Sequence, residues 1–454
     1  MLGQTSVKTA LNVDIAVSAD MANALQTWSL MYVNQATWLN NDIVSLNLPA
    51  AIAGEISKST TIEMKVDVAG SARAEFLATQ LGKLLPKIRQ MVEYGCAKGG
   101  LMFKPFVNGD EIDIDCIQAD QFFPISFDAN GNIIACVFAD QRTVGNSYYT
   151  RLEYHTMTPQ GCLIKNIAYK SSTSSDLGQQ ISLTEFDAWK DLVPEATITD
   201  IKKPLYAYFR FPMANNIDPS SPLGVSCYAR AVDLIKQVDI QWSNLVWEFE
   251  SGKRAIYADT DAFDKTSDGK PILPNKRLYR TLSKAGNIVD DSDLFTEWSP
   301  EFREASILSG LDAMLKKVEY ACGIAYGTIS DPQEQVKTAT ELKTSRQRTY
   351  ATISDTQKAL QAAIEQLLYA MDVWASLSRL SPKGPYQATF TFDDSIITDM
   401  DSQFSHDSQA LGLQVMSKVE FRMRNYGEDE TTAKKKIAEI QNEQQPTDFF
   451  GQNK

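Results

Sequence analysis

The segment from Ala321 to Glu341 constrains the fold more than any other, because one helix has to end in it and a much longer one has to begin. Gly323 and Gly327 can take the left-handed turn that closes a helix, and Pro332 has no N–H with which to continue one. Thr338 followed by Glu341 reads as a capping box, so a new helix is predicted from Thr338. Nothing interrupts it before Ser381-Pro382-Lys383-Gly384, a run of roughly 43 residues or ~60 Å. Its second half carries Ile353, Leu360, Ile364, Leu367, Met371 and Trp374 at three- and four-residue spacing, one apolar stripe. Its first half, through Lys343, Arg346, Gln347 and Arg348, is nearly bare of apolar side chains. A helix so divided either crosses between two environments or is the long core helix of a large enzyme. Ser354 and Gln357 form a second capping pair where it could bend.

With 454 residues the chain has room for two or three domains, and 43% hydrophobic with 22% charged residues is a globular composition. No apolar run reaches bilayer length, and a start containing Asp14 and Asp20 does not read as a signal peptide, so folding in cytosol is expected. Cys96, Cys116, Cys136, Cys162, Cys227 and Cys322 include no CxxC pair, which argues against zinc and against a disulfide framework and leaves reduced core residues. The net charge of −13 would repel DNA on average, which argues against stable non-specific DNA binding. Of the two histidines, His155 is expected on the exposed face of a strand and His406 in solvent. Neither a P-loop, a dinucleotide fingerprint, a nucleophile elbow nor an HExxH motif occurs, and Asp290-Asp291 and Asp393-Asp394 fall in turn-like segments. No catalytic residue, cofactor or metal site is expected. What an enzyme reading retains is a carboxylate pair that meets only in space.

In chain order, residues 21–46 suggest one or two amphipathic helices and residues 72–94 a clearer one, ended by Gly95, Gly99 and Gly100. The period then changes to two. Hairpins are predicted at Asn108-Gly109, Asn130-Gly131 and Pro159-Gln160-Gly161, with a further strand over 206–211, making an antiparallel meander with helices packed on it, an α+β domain. Ser221-Pro222 reads as a helix start, with Ala231, Ile235, Val238, Trp242, Leu245 and Phe249 on a heptad-like seam. Ser299-Pro300 reads as the start of its partner, striped by Ile307, Leu311, Met314, Leu315 and Val318. Between them lies a small β insertion, residues 256–298. After a strand over 387–392, two short helices are expected at 411–421 and 431–440, then a disordered tail from Gln441.

This order of elements, together with Trp247-Glu-Phe-Glu-Ser-Gly-Lys-Arg254, Leu278-Tyr-Arg-Thr-Leu282, Glu297-Trp-Ser-Pro300, Tyr326-Gly-Thr-Ile-Ser-Asp-Pro332 and Thr338-Ala-Thr-Glu341, resembles the portal proteins of tailed double-stranded DNA bacteriophages, nearest to the long-tailed siphophage type. The resemblance implies a non-enzymatic virion protein. Twelve copies would form a ring at one capsid vertex through which DNA is packaged and ejected. It implies a wing over 1–220, a first stem helix over 221–255, a small α/β clip over 256–298 and a second stem helix over 299–330. A tunnel loop would follow over 331–337, then a long kinked wing helix and closing strand over 338–398, and a helical crown with a tail over 399–454. The implied partners are other copies of the chain, terminase, a head-to-tail connector or adaptor, and the major capsid and scaffolding proteins, with duplex DNA passing without tight binding and no membrane. Assembly would take place in the host bacterial cytoplasm.

On that reading, the tunnel loop offers Asp331, Gln333, Glu334, Gln335 and Lys337 to DNA, with Lys316 and Lys317 as basic residues facing the tunnel. Asp290, Asp291 and Asp293 would form the docking face of the clip, and Trp242, Leu245, Ile307 and Leu311 would pack the ring. An acidic conduit suits a sliding polyanion, since it gives DNA no deep electrostatic well. The rival readings are another virion component, such as a minor head or adaptor protein, and a soluble cytosolic hydrolase.

Overall fold

The computed structural model describes residues 3–253, 255–259, 263–268, 270–273, 278–282, 295–331, 339–392 and 400–443. Two compact units, Met1–Phe390 and Thr391–Lys454, make up the chain.

The first unit opens with α1 (Gln4–Leu11), α2 (Ala19–Tyr32) and α3 (Leu48–Thr61). Residues 21–46 therefore supply only α2. Helix α3 follows them unannounced, its buried Leu48, Ile52, Ala53 and Ile56 interspersed with small and polar residues. After β1 (Met64–Ala69), the single helix expected over 72–94 is two, α4 (Ala72–Gly82) and α5 (Ile88–Lys98). The split falls at a short 3-10 turn, Leu85–Lys87, where Pro86 lacks the N–H that a continuous helix needs. Gly95 lies inside α5, which ends at Gly99 with φ +84°.

Strands β2 (Gly100–Asn108) and β3 (Glu111–Gln118) form the first hairpin, but Asn108 still pairs with Glu111, so its turn is Gly109-Asp110. The meander continues through β4 (Phe122–Phe127), β5 (Ile133–Val144), β6 (Ser147–Thr158) and β7 (Gly161–Ser171), with turns where Asn130-Gly131 and Pro159-Gln160 predict them. Strands β8 (Gln179–Ile181) and β9 (Glu195–Thr199) both pair with β7, and β10 (Ala207–Arg210) joins β2 in a second sheet ordered β10-β2-β3. Antiparallel sheets with helices packed on them make the α+β body. Alternation along β7 divides the large sheet's faces. Tyr169 packs with Val7, Phe123, Val137 and Leu152 under α1, while Cys162 and Ile164 face Ile201, Leu205 and the later residues Tyr369, Val373 and Trp374.

His155 corrects an expectation, being 1% exposed. Its side of β6 faces a buried polar cluster and not solvent: Glu153 takes Lys104 Nζ at 2.7 Å, Arg151 Nη2 at 3.0 Å and His155 Nε2 at 2.6 Å. Burial pushes the Glu153 carboxyl up, but Lys104, the His155 hydrogen bond and Arg151 outweigh it and hold it well below the usual carboxylate range. The six cysteines are free and five are buried; burial pushes the Cys162 and Cys322 thiols up to about 12.

Helix α6 (Val232–Ser251) begins later than Ser221-Pro222 suggests. The preceding residues pack against the end of α5 instead. Cys227 N–H donates to the Cys96 carbonyl at 2.9 Å, and a Cβ on Gly224 would lie 2.0 Å from the Gly99 carbonyl oxygen. A three-stranded insertion follows, β11 (Ala255–Asp259), β12 (Tyr279–Leu282) and β13 (Phe295–Trp298), ordered β12-β11-β13 with β12 parallel and β13 antiparallel to β11. Helix α7 (Glu304–Cys322) starts beyond Pro300, because Arg303 is occupied by Glu248 of α6. Helix α8 (Ala339–Leu377) is 39 residues long and ends ahead of Ser381. Its stripe, Ile353, Leu360, Ile364, Leu367 and Met371, is buried against β2, β10, α3 and α4. The capping box at Thr338 and Glu341 lies outside the described residues. Strand β14 (Gln387–Phe392) returns to pair with β1.

The second unit has three helices where two were expected, α9 (Met400–Gly412), α10 (Lys418–Tyr426) and α11 (Glu430–Glu443). The stretch 411–421 is not one helix, since Ser417 caps α10 by accepting the Glu420 N–H. Phe421 packs edge-on to Phe404 and Tyr426, and the Arg422 guanidinium forks onto Glu428 at 2.7 and 2.8 Å. His406 is exposed, as expected.

Candidate functional site

Helices α6 and α7 pack on each other and carry the three-stranded insertion at one end and the α7 to α8 connection at the other. Ile235, Val238 and Leu245 of α6 and Leu311 and Val318 of α7 are buried within the chain. Of the four residues expected to pack a ring, Leu245 and Leu311 therefore belong to this internal seam, and Trp242 and Ile307 are half-buried. Toward the insertion several large apolar side chains are left uncovered, Trp247, 65% exposed, with Val246, Phe249, Phe302 and Leu308, and at the other end Tyr320 is exposed as well.

At the insertion end, Glu248 and Arg303 lock the two helices together. The Arg303 N–H and Nε donate to Glu248 Oε1 at 3.0 and 3.2 Å, and Nη2 donates to Oε2 at 2.7 Å. These bonds hold the Glu248 carboxyl below its ordinary value. Phe249 and Phe302 stack beside the pair with ring centroids 5.7 Å apart.

At the other end α7 closes on Gly323, φ +73°, and the chain folds back over Glu319. This side chain is fully buried and accepts four hydrogen bonds. Ile329 and Ser330 N–H donate to Oε1 at 2.7 and 2.9 Å; Gly327 N–H and the Ser330 hydroxyl donate to Oε2 at 3.2 and 2.8 Å. Asp312, one turn before Lys316, accepts the Asp331 N–H at 3.1 Å and the Lys316 ammonium at 2.6 Å. The same turn is tied to α8: Thr349 accepts the Ala325 N–H at 2.7 Å, and the Thr352 hydroxyl donates to the Gly323 carbonyl at 2.8 Å. Arg348 lies over the rings of Tyr320 and Tyr326, 4.4 and 5.6 Å from their centroids.

Among the residues expected to meet DNA, Asp331 is exposed where the turn ends, Lys317 is exposed, and Lys316 is half-buried with its charge already answered by Asp312. Gln333, Glu334, Gln335 and Lys337 lie outside the described residues, as do Asp290, Asp291 and Asp293 of the insertion. Glu319 escaped notice in the sequence. Its signal is an acid set among Leu315, Val318 and Cys322 on an apolar stripe just before a glycine-containing turn. Among the described residues, no group of His, Cys, Asp and Glu could hold a metal ion, and no helix is long and apolar enough to cross a membrane.

A family model described as phage portal protein, SPP1 Gp6-like, matches residues 77–447. The chain belongs to this portal family. Members are structural, non-enzymatic components of the virion. The matched range includes α6, α7, the insertion, the Glu319 turn and α8. Solved structures similar to this portal protein include a chain described as the neck of a native GTA particle computed with C12 symmetry, 11% identical with a TM-score of 0.43, and one described as the neck of an empty GTA particle computed with C6 symmetry, 10% identical with a TM-score of 0.44. Each alignment covers 92% of this chain and 97% of the other. No curated protein matches.

Proposed function

We propose that the chain forms a dodecameric ring at one capsid vertex, serving as the conduit for DNA packaging and ejection and as the docking site for terminase and the head-to-tail connector. The observation that carries this reading is the pair of helices holding a small sheet at one end, within a chain of the portal family. Residues 1–220 act as wing, 221–255 and 299–330 as stem, 256–298 as clip, 331–337 as tunnel loop, 338–398 as the long wing helix with its closing strand, and 399–454 as crown and tail. Capsid and scaffolding proteins meet the ring from outside, and assembly takes place in the host bacterial cytoplasm. DNA passes without tight binding, in keeping with a chain of net charge −13. Neighbouring subunits cover Val246, Trp247, Phe249 and Leu308, which are too apolar a group to stay in water. Asp290, Asp291 and Asp293 contribute to motor docking, and Gln333 to Gln335 touch the duplex through transient hydrogen bonds.

Mass measurement of the purified particle tests the ring. Twelve chain masses are expected, with Trp247→Glu shifting the particle toward monomers; a wild-type monomer at micromolar concentration would overturn the reading.

A further inference from the structure

The connection leaving α7 is fastened twice over before it reaches Asp331. Glu319 uses both carboxylate oxygens as acceptors, toward donors eight to eleven residues later in the chain. Ser330 is itself buried and closes the knot, its hydroxyl oxygen also accepting the Gly327 N–H at 3.0 Å. Among the described residues Glu319 has no ion-pair partner, so the carboxylate is held by backbone N–H groups and one hydroxyl alone. The residues between, 323–326, are bound to α8 through Thr349, Thr352 and the stacked Arg348. A short turn thus has its inner side on α7 and its outer side on α8.

We propose that Glu319 is a positioning residue that makes α7, the turn and α8 one mechanical unit and fixes the point, at Asp331, from which the tunnel loop departs. The inference rests on the portal reading and deepens it. Load placed on the loop by moving DNA then reaches both helices at once and does not unwind the turn. The carboxylate suits this role because its two oxygens answer donors at three positions of the turn, Gly327, Ile329 and Ser330, which no neutral side chain can do with acceptors only.

The test uses the full chain carrying Glu319→Gln. One oxygen can still accept, but the amide nitrogen faces the Gly327 N–H as a second donor. Hydrogen exchange over residues 324–331 should accelerate roughly 10- to 100-fold, while ring mass and thermal midpoint stay near wild type and genome retention in assembled particles falls severalfold. Glu319→Asp, which keeps both acceptors on a shorter arm, should recover part of the protection. Thr349→Val removes a tie to α8 without touching the carboxylate, and should lower retention with the ring intact. Wild-type exchange in Glu319→Gln, or normal retention in both Glu319→Gln and Thr349→Val, would overturn the proposal. The exchange readout does not depend on assembly, so a failure of ring formation in the wild-type chain would count against the portal reading while leaving the turn to be judged on its own.

Discussion

The two ends of the α6–α7 pair are each organised by a glutamate, and the two are held by opposite means. Glu248 meets a full opposite charge, but Arg303 carries that charge on a side chain 76% exposed. Among the described residues Glu319 meets no charge, and it is sealed from water with four neutral donors arranged around it. The first arrangement is an ion pair open to solvent on its arginine side and is screened by salt. The second depends on backbone geometry and is indifferent to salt. A joint meant to accept different partners can be soft to its surroundings, whereas one meant to hold a loop in register should not be. The insertion end has the first kind of joint and the α8 end the second.

The largest effect is expected from abolishing the comparison altogether. Leu311, 6% exposed, lies between the two ends on the seam that lets one helix report to the other. Leu311→Asp puts an unpaired charge there and should cost ~4 kcal/mol or more, read as a lowered thermal midpoint with both joints losing exchange protection. An unchanged midpoint would show that the seam does not hold the pair.

A smaller effect should separate the ends. The Glu248 carboxyl is depressed in the folded chain by Arg303, so its contribution is complete above the ordinary glutamate value and is lost as pH falls through the folded one. Acidification through the folded Glu248 value should therefore speed proteolysis within 255–298, and high salt at neutral pH should do so before exchange at 324–331 changes. Arg303→Ala should give the same severalfold acceleration at pH 7. Equal loosening of both ends by salt would erase the distinction.

The smallest effect contrasts two adjacent lysines. Lys316→Ala removes a half-buried pair with Asp312, an acceptor in the turn, and should cost about 0.5 kcal/mol, whereas Lys317→Ala should fall within the scatter of wild-type unfolding curves. Equal costs would show that the Lys316 pair contributes nothing to the turn.

How much of this was legible in the sequence follows from which interactions are local. The β-meander was readable because alternation and turn dipeptides act over a few residues, and α8 because its stripe repeats for many turns. The start of α6 was not. Pro222 carries a valid helix-start signal, but the approach of Gly224 to Gly99 and the bond from Cys227 to Cys96 are contacts between segments far apart in sequence, and they outweigh it. His155 was misplaced for a related reason: period two says that Glu153 and His155 share a face, not that β2 will cover it with Lys104. The family was legible from short strings such as Tyr326 to Pro332, although the reason those residues belong together, a buried Glu319, became visible only when the turn closed over it.

Arg73 has a consequence for how the chain is made. Its guanidinium is 1% exposed and donates to the carbonyls of Asp372, Ser381 and Pro382, while the neighbouring Ser71 donates to Pro385 and β1 takes β14 as its partner. All of these partners are synthesised some three hundred residues after Arg73. During translation the amino-terminal helices must wait with a cation and a strand edge open, and the body cannot close until the segment after α8 has left the ribosome. Closure of the body is thereby tied to completed synthesis: a chain released before Pro385 lacks the residues that seal its own body, and should be recognised as unfinished before it can enter a particle.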